Sequence, residues 1–246
     1  MNIIKVKNYE DMSNEAAKFL LEKIRKTPNM VLGLATGGTP EGLYKNMIHD
    51  HHENGTTYKN MTTFNLDEYI GLDGSNENSY RYFMNSTLFN HLDIETSKTY
   101  VPSGMAEDSS NECEVYEQLI KEHGGIELQL LGIGGNGHIG FNEPGTSFQS
   151  RTHTVKLAEK TRGDNARYFN NLEDVPTAAI TMGIATIMES KEILLLASGE
   201  GKQEAMRQLL SGEVTEGFPA SILNNHPHVT IIADEAALAK VNRKLE

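Results

Sequence analysis

Residues 126–144 read IELQLLGIGGNGHIGFNEP, and this stretch is the strongest evidence in the chain for its fold. Its apolar start predicts a buried β-strand over Ile126–Ile133. The predicted strand ends in a loop in which five of the nine residues 132–140 are glycine. In open α/β sheets, loops at the carboxyl ends of strands bind ligands. The stretch therefore predicts an α/β sheet with a ligand site at the end of this strand.

Further apolar runs along the chain predict the other strands of the sheet. These runs are Met30–Ala35, Met61–Asn65, Ile193–Ala197 and Val229–Ala233. Several are apolar at consecutive positions, which is typical of parallel strands that are covered on both faces.

Segments with helical apolar spacing lie between the predicted strands and predict helices. The apolar faces are Ala16–Ile24, Leu43–Ile48, Val115–Ile120 and Ala205–Leu210. A Ser109–Glu112 capping box precedes the third face, and Gly212 follows the fourth. This alternation predicts a doubly wound, mostly parallel sheet with helices on both faces.

The domain organisation follows from the same alternation. We expect a single domain over residues 1–246, because no linker or internal repeat interrupts the pattern. The segment 150–186 fits the alternation less well, and we expect it to form an excursion that covers a site, like a lid.

Composition narrows the class of protein. The net charge is −12, from 34 acidic and 22 basic residues. This balance argues against a nucleic-acid partner, since such proteins carry a basic footprint. A single cysteine, Cys113, excludes an internal disulfide and is typical of a reducing compartment. Residues 1–17 lack the features of a secretion signal, and no apolar run reaches the length of a membrane span. We expect a cytoplasmic protein without a membrane partner.

Two further loops are candidates for binding an anion. Thr36-Gly37-Gly38-Thr39-Pro40 joins a predicted strand to a predicted helix. Thr39 is predicted to cap that helix, and the exposed amides of such a turn can hold a phosphate. A second strand-to-helix loop is Ser198-Gly199-Glu200-Gly201-Lys202, whose lysine lies at the start of a predicted helix. A cation is slightly unfavourable at a helix N-terminus unless an anion is bound between them, so this lysine suggests a bound phosphate. An ordinary tight turn and an exposed surface lysine are the alternatives.

Adjacent carboxylates, Asp67 and Glu68, lie in the stretch FNLDEYIGL at residues 64–72. At the end of a strand they could act as a base or hold a cation. The alternative is a solvated acidic turn. We expect no metal, because no cluster of Asp, His or Cys accompanies them.

The glycine-rich loop carries the polar residues Asn136, His138, Asn142 and Glu143. His138 is suited to proton transfer near neutral pH, and Glu143 could orient its ring and favour its protonated form. The glycine spacing does not match the dinucleotide-binding fingerprint, which argues against a nucleotide enzyme.

Taken together, these motifs resemble those of glucosamine-6-phosphate deaminases. The shared elements are Gly37-Gly38-Thr39-Pro40, FNLDEYIGL, GIGGNGHIGFNEP at 132–144, Asn165-Ala166-Arg167 and Ser198…Lys202. Their order and spacing match over nearly the whole chain. The resemblance implies a modified Rossmann-like α/β fold. It also implies an enzyme, classed here as a hydrolase, that converts glucosamine 6-phosphate to fructose 6-phosphate and ammonia without a cofactor.

The resemblance also assigns roles to individual positions. Asp67 matches the base at C2 of the opened sugar, and His138 matches the group that opens the ring, assisted by Asn136 and Glu143. The matching phosphate ligands are Thr36, Gly37, Gly38, Thr39, Arg167 and Lys202. The related 6-phosphogluconolactonases share the fold, so a lactone hydrolase is the alternative. A non-catalytic sugar-phosphate sensor is a second alternative and would leave Asp67 and His138 without a role.

Two departures from the family pattern affect the expectations. Some members have Asp where this chain has Asn136, so the charge supporting His138 would come from Glu143 alone. Members activated by N-acetylglucosamine 6-phosphate have a longer C-terminal tail and an arginine where this chain has His153. We therefore expect weak or absent activation. Both a monomer and a homo-oligomer are compatible with the resemblance.

Overall fold

Seven strands form the main sheet of the computed structural model, which describes residues 1–157, 159, 162–163, 166, 169 and 171–241. All described pairs in this sheet are parallel. In spatial order the strands are β1 (Asn2–Val6), β10 (Val229–Asp234), β9 (Glu192–Ala197), β6 (Leu128–Gly132), β2 (Val31–Leu34), β3 (Thr62–Asn65) and β5 (Thr99–Tyr100). Each of the five predicted strands is present, with ends that differ by at most two residues.

Helices cover both faces of this sheet. They are α1 (Tyr9–Lys26), α2 (Glu41–Asn54), α3 (Tyr80–Thr87), α4 (Ser109–Glu122), α5 (Ile184–Met188), α6 (Gln203–Leu209) and α7 (Glu235–Leu238). Helices α1, α2 and α3 pack with Leu32 and Leu130 in one core cluster, whereas α4, α6 and α7 pack with Val31 and Leu131 in the other. Neighbouring strand residues thus face opposite cores, as the pleat requires. The predicted doubly wound α/β fold is confirmed.

Two details of α4 differ from the prediction. Its N-cap is Asp108, whose carboxylate accepts from the amides of Ser110 and Asn111, so Ser109 is already the first helical residue. Val115, predicted on the apolar face, is 44% exposed. Cys113 is buried instead and shares its stripe with Tyr116 and Ile120, because the helix turns Val115 away from that stripe.

A second, smaller sheet was not predicted. It is antiparallel and consists of β4 (Asp67–Tyr69), β8 (Ala178–Thr181) and β7 (His153–Lys156), in that order. Leu66 joins it to the main sheet, since its amide donates to the carbonyl of Leu34 (3.1 Å) and its carbonyl accepts from Met182 (2.6 Å). The small sheet therefore continues from the carboxyl end of β3.

The strand order creates a crevice at the centre of the main sheet. From β2 the chain proceeds to β3 and β5 on one side, and it then returns to β6 on the other side of β2. The loops that leave β2 and β6 therefore diverge, and ligands bind at such switch points. These two loops are the turn at 36–40 and the glycine-rich loop at 132–144.

Among the helices that the structure describes, none has the length and apolarity to cross a bilayer.

Candidate active site

A cavity of about 560 Å³ opens at the carboxyl ends of β2, β3, β6 and β9. It brings together most of the predicted site residues, which come from four separate loops. Those that line it are Thr36, Gly37, Gly38, Thr39, Asp67, His138 and Lys202. Asn136 and Glu143 contact His138 but do not line the cavity. Arg167, the remaining predicted site residue, lies outside the described residues, as does Asn165.

The turn after β2 supplies one wall of the cavity. Gly37 has a φ of +97°, which favours glycine, and no atom would lie within 4 Å of a Cβ added there. The N-cap of α2 is Pro40, and α2 has no side-chain cap bond. The prediction that Thr39 caps this helix is therefore wrong, because the helix begins one residue later than the sequence suggested. The residues that line the cavity are those of the turn before the helix, and the backbone amides of such a turn suit an anion.

Asp67 is held at the cavity by strand pairing. It is paired with Thr181 in the small sheet and is 7% exposed. Burial, and secondly the charge of Glu68, raises the pKa of Asp67 to about 8. A Cβ added to Gly140 would lie 3.6 Å from Asp67 Oδ2 and 2.9 Å from Thr181 Oγ1. The backbone of Gly140, in the glycine-rich loop, therefore lies close to the Asp67 carboxylate with no side chain of its own between them.

The neighbouring carboxylate, Glu68, has a different environment. Its side chain is buried and accepts from the amides of Tyr69 (2.8 Å), Tyr80 (2.9 Å) and Arg81 (2.9 Å). Burial raises the pKa of Glu68, and these three donors act in the opposite direction. The carboxylate lies at the N-terminus of α3, where a negative charge is favourable. Glu68 therefore anchors α3, and the alternative of a solvated acidic turn is wrong for both residues.

His138, Asn136 and Glu143 form a chain of polar contacts. Asn136 Nδ2 donates to Glu143 Oε2 at 2.7 Å, so the amide oxygen Oδ1 faces His138. That oxygen can only accept, and it lies 2.7 Å from His138 Nδ1. In neutral His138 the proton is therefore on Nδ1, and Nε2 carries the lone pair. Glu143 Oε1 lies 3.7 Å from Nδ1, within ion-pair distance of a protonated ring.

The loop that carries His138 is held by close packing. A Cβ on Gly134 would lie 2.2 Å from the His138 ring, so the imidazole packs directly on backbone. Gly137 has a φ of +86°, and its carbonyl accepts from Ala220 at 2.8 Å. Asn142 is buried and its Nδ2 donates to the carbonyls of Ile139 and Met182. Asn142 therefore has a structural role in shaping this loop.

Lys202 reaches the cavity from the loop after β9. Asp234, at the end of β10, fixes this loop by accepting from the Ser198 hydroxyl (2.5 Å) and from the Gly199 amide (3.1 Å). Gly199 adopts a φ of +89° there. Lys202 is half-buried and lines the cavity. The loop therefore presents a cation to the cavity that the turn at 36–40 also lines.

Aromatic residues form a further part of the wall that the sequence did not reveal. Tyr69, Tyr80, Phe141 and Phe169 line the cavity, and the rings of Tyr80 and Phe141 are stacked at an interplanar angle of 10°. The ring centroids of Tyr69 and Tyr80 lie 4.8 Å apart, and burial raises the pKa of Tyr80. The aromatic wall therefore lines the same cavity as the turn at 36–40 and Asp67.

Comparison with known proteins identifies the family. The family model described as glucosamine-6-phosphate isomerases/6-phosphogluconolactonase matches residues 7–232. The chain belongs to this family. A glucosamine-6-phosphate deaminase from Shouchella clausii is 60% identical over 244 residues, which are 99% of each chain. A solved structure of a monomeric glucosamine-6-phosphate deaminase superposes with a TM-score of 0.96, at 50% identity, over 98% of this chain and 100% of the other.

A more distant neighbour has only the fold in common. The 6-phosphogluconolactonase from Trypanosoma brucei superposes with a TM-score of 0.79 at 17% identity, over 98% of each chain.

The comparisons also correct one expectation. The classification of the enzyme as a hydrolase is wrong, because the relatives of high identity are named deaminases and the family model names isomerases. The fitting reaction class is an isomerising deamination.

Proposed function

We propose that this chain is a glucosamine-6-phosphate deaminase, which isomerises glucosamine 6-phosphate and releases its nitrogen, giving fructose 6-phosphate and ammonia. Relatives of 50–60% identity over almost the whole chain carry this name. The observation that carries the proposal is structural. The Asp67 carboxylate shares one cavity with the turn at 36–40, with His138 and with Lys202.

The phosphate of the substrate would bind first, on the turn at 36–40. Thr36 to Thr39 offer backbone amides at a helix start, and Lys202 adds a charge-assisted hydrogen bond. Arg167 is assigned to this group by resemblance alone. Holding the phosphate here leaves the sugar ring to extend toward Asp67 and His138. Binding a remote group in this way orients the reacting carbons.

His138 would then open the pyranose ring. With its proton on Nδ1, the ring has a lone pair on Nε2 that can take the proton of the anomeric hydroxyl and return it to the ring oxygen. Asn136 fixes this tautomer, and Glu143 stabilises the transient positive charge of the imidazolium. The product of this step is the open-chain aldehyde.

Asp67 would serve as the base at C2 of the opened sugar. Its ionised form removes the C2 proton, and the electron pair of the C–H bond moves into the C1–C2 bond. The electron pair of the carbonyl moves onto its oxygen, which takes a proton from water and becomes an enol hydroxyl. A carboxyl with a pKa near 8 is a stronger base than an ordinary aspartate once ionised. Returning the proton to C1 leaves an imine at C2, and water then replaces the nitrogen to release ammonia.

These steps use only groups of the substrate and of the protein. The carbonyl of the substrate accepts the electrons that proton removal frees, and the amine then supplies the lone pair that forms the imine, so we propose a reaction without a cofactor. Within the described part of the chain, no group of three or more His, Cys, Asp or Glu side chains is arranged to hold a metal.

One assay tests the proposed function. Purified protein is incubated with glucosamine 6-phosphate, and ammonia and fructose 6-phosphate are measured together. We expect equal amounts of both, and we expect their loss in Asp67→Asn. In parallel, the protein is given 6-phosphogluconolactone, the substrate class of its distant structural neighbour. Opening of that lactone without ammonia release from the amino sugar would overturn the proposal, since a lactonase needs no base at C2.

The organisation of the molecule can be proposed in the same terms. We propose one domain in which the segment 150–186 covers the cavity, because Phe169 from that segment lines it. A monomer is proposed from the neighbour that is described as monomeric. A cytoplasmic location is proposed from the single cysteine. Light scattering after size-exclusion chromatography tests the monomer directly.

A further inference from the structure

The start of α2 lacks the usual partner for its backbone amides. The first turn of a helix has donors without intrahelical acceptors, and an N-cap side chain normally satisfies one of them. The N-cap of α2 is Pro40, which has no acceptor in its side chain. A residue from another helix supplies the acceptor. The Tyr9 hydroxyl, at the start of α1, accepts from the Gly42 amide at 2.9 Å.

The same hydroxyl also contacts the turn itself. It donates to the carbonyl of Gly38 at 2.7 Å. One oxygen thus ties the glycine turn to the first turn of α2. In a trans peptide, the carbonyl and the following amide point in opposite directions. Fixing the Gly38 carbonyl therefore fixes the direction of the Thr39 amide, and Thr39 lines the cavity.

Tyr9 is held in place although it is 38% exposed. Its carbonyl accepts from the Ser13 hydroxyl at 2.9 Å. A Cβ on Gly42 would lie 2.2 Å from Ser13 Oγ and 3.2 Å from the Tyr9 ring, so α1 and α2 approach closely at this point. Asn46 Nδ2 donates to Asn14 Oδ1 at 2.9 Å and joins the two helices one turn further on.

We propose that Tyr9 is a positioning residue for the phosphate-binding turn. It does not touch the reacting atoms. By bridging Gly38 and Gly42, its hydroxyl keeps the turn in the conformation that receives the phosphate, so the phosphate does not have to order the turn when it binds. This inference rests on the proposed function only in assigning phosphate to the turn. Neither the sequence motifs nor the names of the relatives point to Tyr9.

The test is Tyr9→Phe, which keeps the ring and removes the one oxygen. Its removal breaks both hydrogen bonds to the turn and α2, so we expect KM for glucosamine 6-phosphate to rise about three- to tenfold, which corresponds to about 0.7–1.4 kcal/mol. We expect kcat to stay within about twofold of the wild-type value, because Asp67 and His138 keep their positions relative to the bound substrate. The inhibition constant of inorganic phosphate, which occupies the phosphate site without the sugar, should rise by the same factor as KM.

Tyr82→Phe is the matched control. Tyr82 has a similar exposure, 36%, and does not line the cavity, so its variant should keep the wild-type KM and kcat. Melting temperatures of both variants are measured as well. A purely structural cap would lower the melting temperature of Tyr9→Phe and leave KM and the phosphate inhibition constant unchanged. That result would overturn the inference, and so would a fall in kcat at constant KM.

A calorimetric titration separates this inference from the proposed function. Inorganic phosphate and fructose 6-phosphate are titrated into wild type and Tyr9→Phe without turnover. A wild type that releases no ammonia would refute the proposed function, but weaker phosphate binding by Tyr9→Phe would still support the inference. Equal binding by both proteins, or no phosphate binding by wild type, would refute the inference.

Discussion

The activity of the enzyme should fall steeply as the pH drops below 8, because the proposed base is a buried carboxyl. Only ionised Asp67 can take the C2 proton, and burial raises its pKa to about 8. The ionised fraction is then about 50% at pH 8, about 9% at pH 7 and about 1% at pH 6. We therefore expect kcat/KM at pH 6 to be about a hundredth of its plateau, since this parameter reports the ionisation of the free enzyme.

The assay is ammonia release at low substrate concentration between pH 5.5 and 9.5. The substrate also carries an amine and a phosphate that titrate, so two variants identify the source of the acid limb. Asp67→Glu moves the carboxyl and should shift the midpoint of the limb. Lys202→Ala weakens phosphate binding but should leave the midpoint unchanged, because only burial and Glu68 raise the pKa of Asp67. A midpoint near 4, or one that Asp67→Glu does not move, would refute the assignment.

Three further predictions concern stability and the His138 loop. Protonated Asp67 contributes stability that is fully present below its ordinary pKa of 3.8 and is lost as the pH rises through about 8. At pH 9, Asp67→Asn should therefore unfold at a higher urea concentration than wild type. At pH 4 it should not. Gly134→Ala places a methyl group 2.2 Å from the His138 ring and should lower kcat more than tenfold, whereas Gly135→Ala, whose Cβ meets its nearest atom at 3.6 Å, should have a much smaller effect. Glu143→Gln should shift the His138-dependent limb of the pH–rate profile, and an unshifted limb would show that Asn136 alone supports the imidazole.

Five of the seven strands of the main sheet could be predicted, because each lies in a short run rich in apolar or β-branched residues that ends near glycines or polar residues. The two edge strands were not predicted, since β1 is largely exposed or half-buried and β5 has only two residues. The small sheet was not predicted, because its strands leave a weaker local signal in the sequence. Its strands β4, β7 and β8 have three or four residues each and lack a long apolar run. They form because Leu66 and Thr181 bring distant segments together, and such pairings leave little trace in a short stretch of sequence.

The lining of the cavity was predictable in part. Motifs pointed to Asp67, His138 and Lys202, which all line it, because ligand-binding side chains concentrate in loops at strand ends. The role of Glu68 depends on α3, whose first amides it binds across twelve or thirteen residues of sequence. Tyr9 bonds to the turn across twenty-nine residues or more. These contacts exist only once helices pack, so local patterns could not reveal them.

The central claim is that the carboxylate of Asp67 moves the proton at C2 of the amino sugar. Solvent deuterium exchange tests it most directly. Wild type and Asp67→Asn are incubated with glucosamine 6-phosphate in D₂O, and the label at C2 of recovered substrate and at C1 of the product is followed by NMR. We predict exchange with wild type, together with a loss of about a hundredfold or more in Asp67→Asn at unchanged phosphate binding. Near-normal exchange in Asp67→Asn would contradict the claim, because another group would then have to be the base.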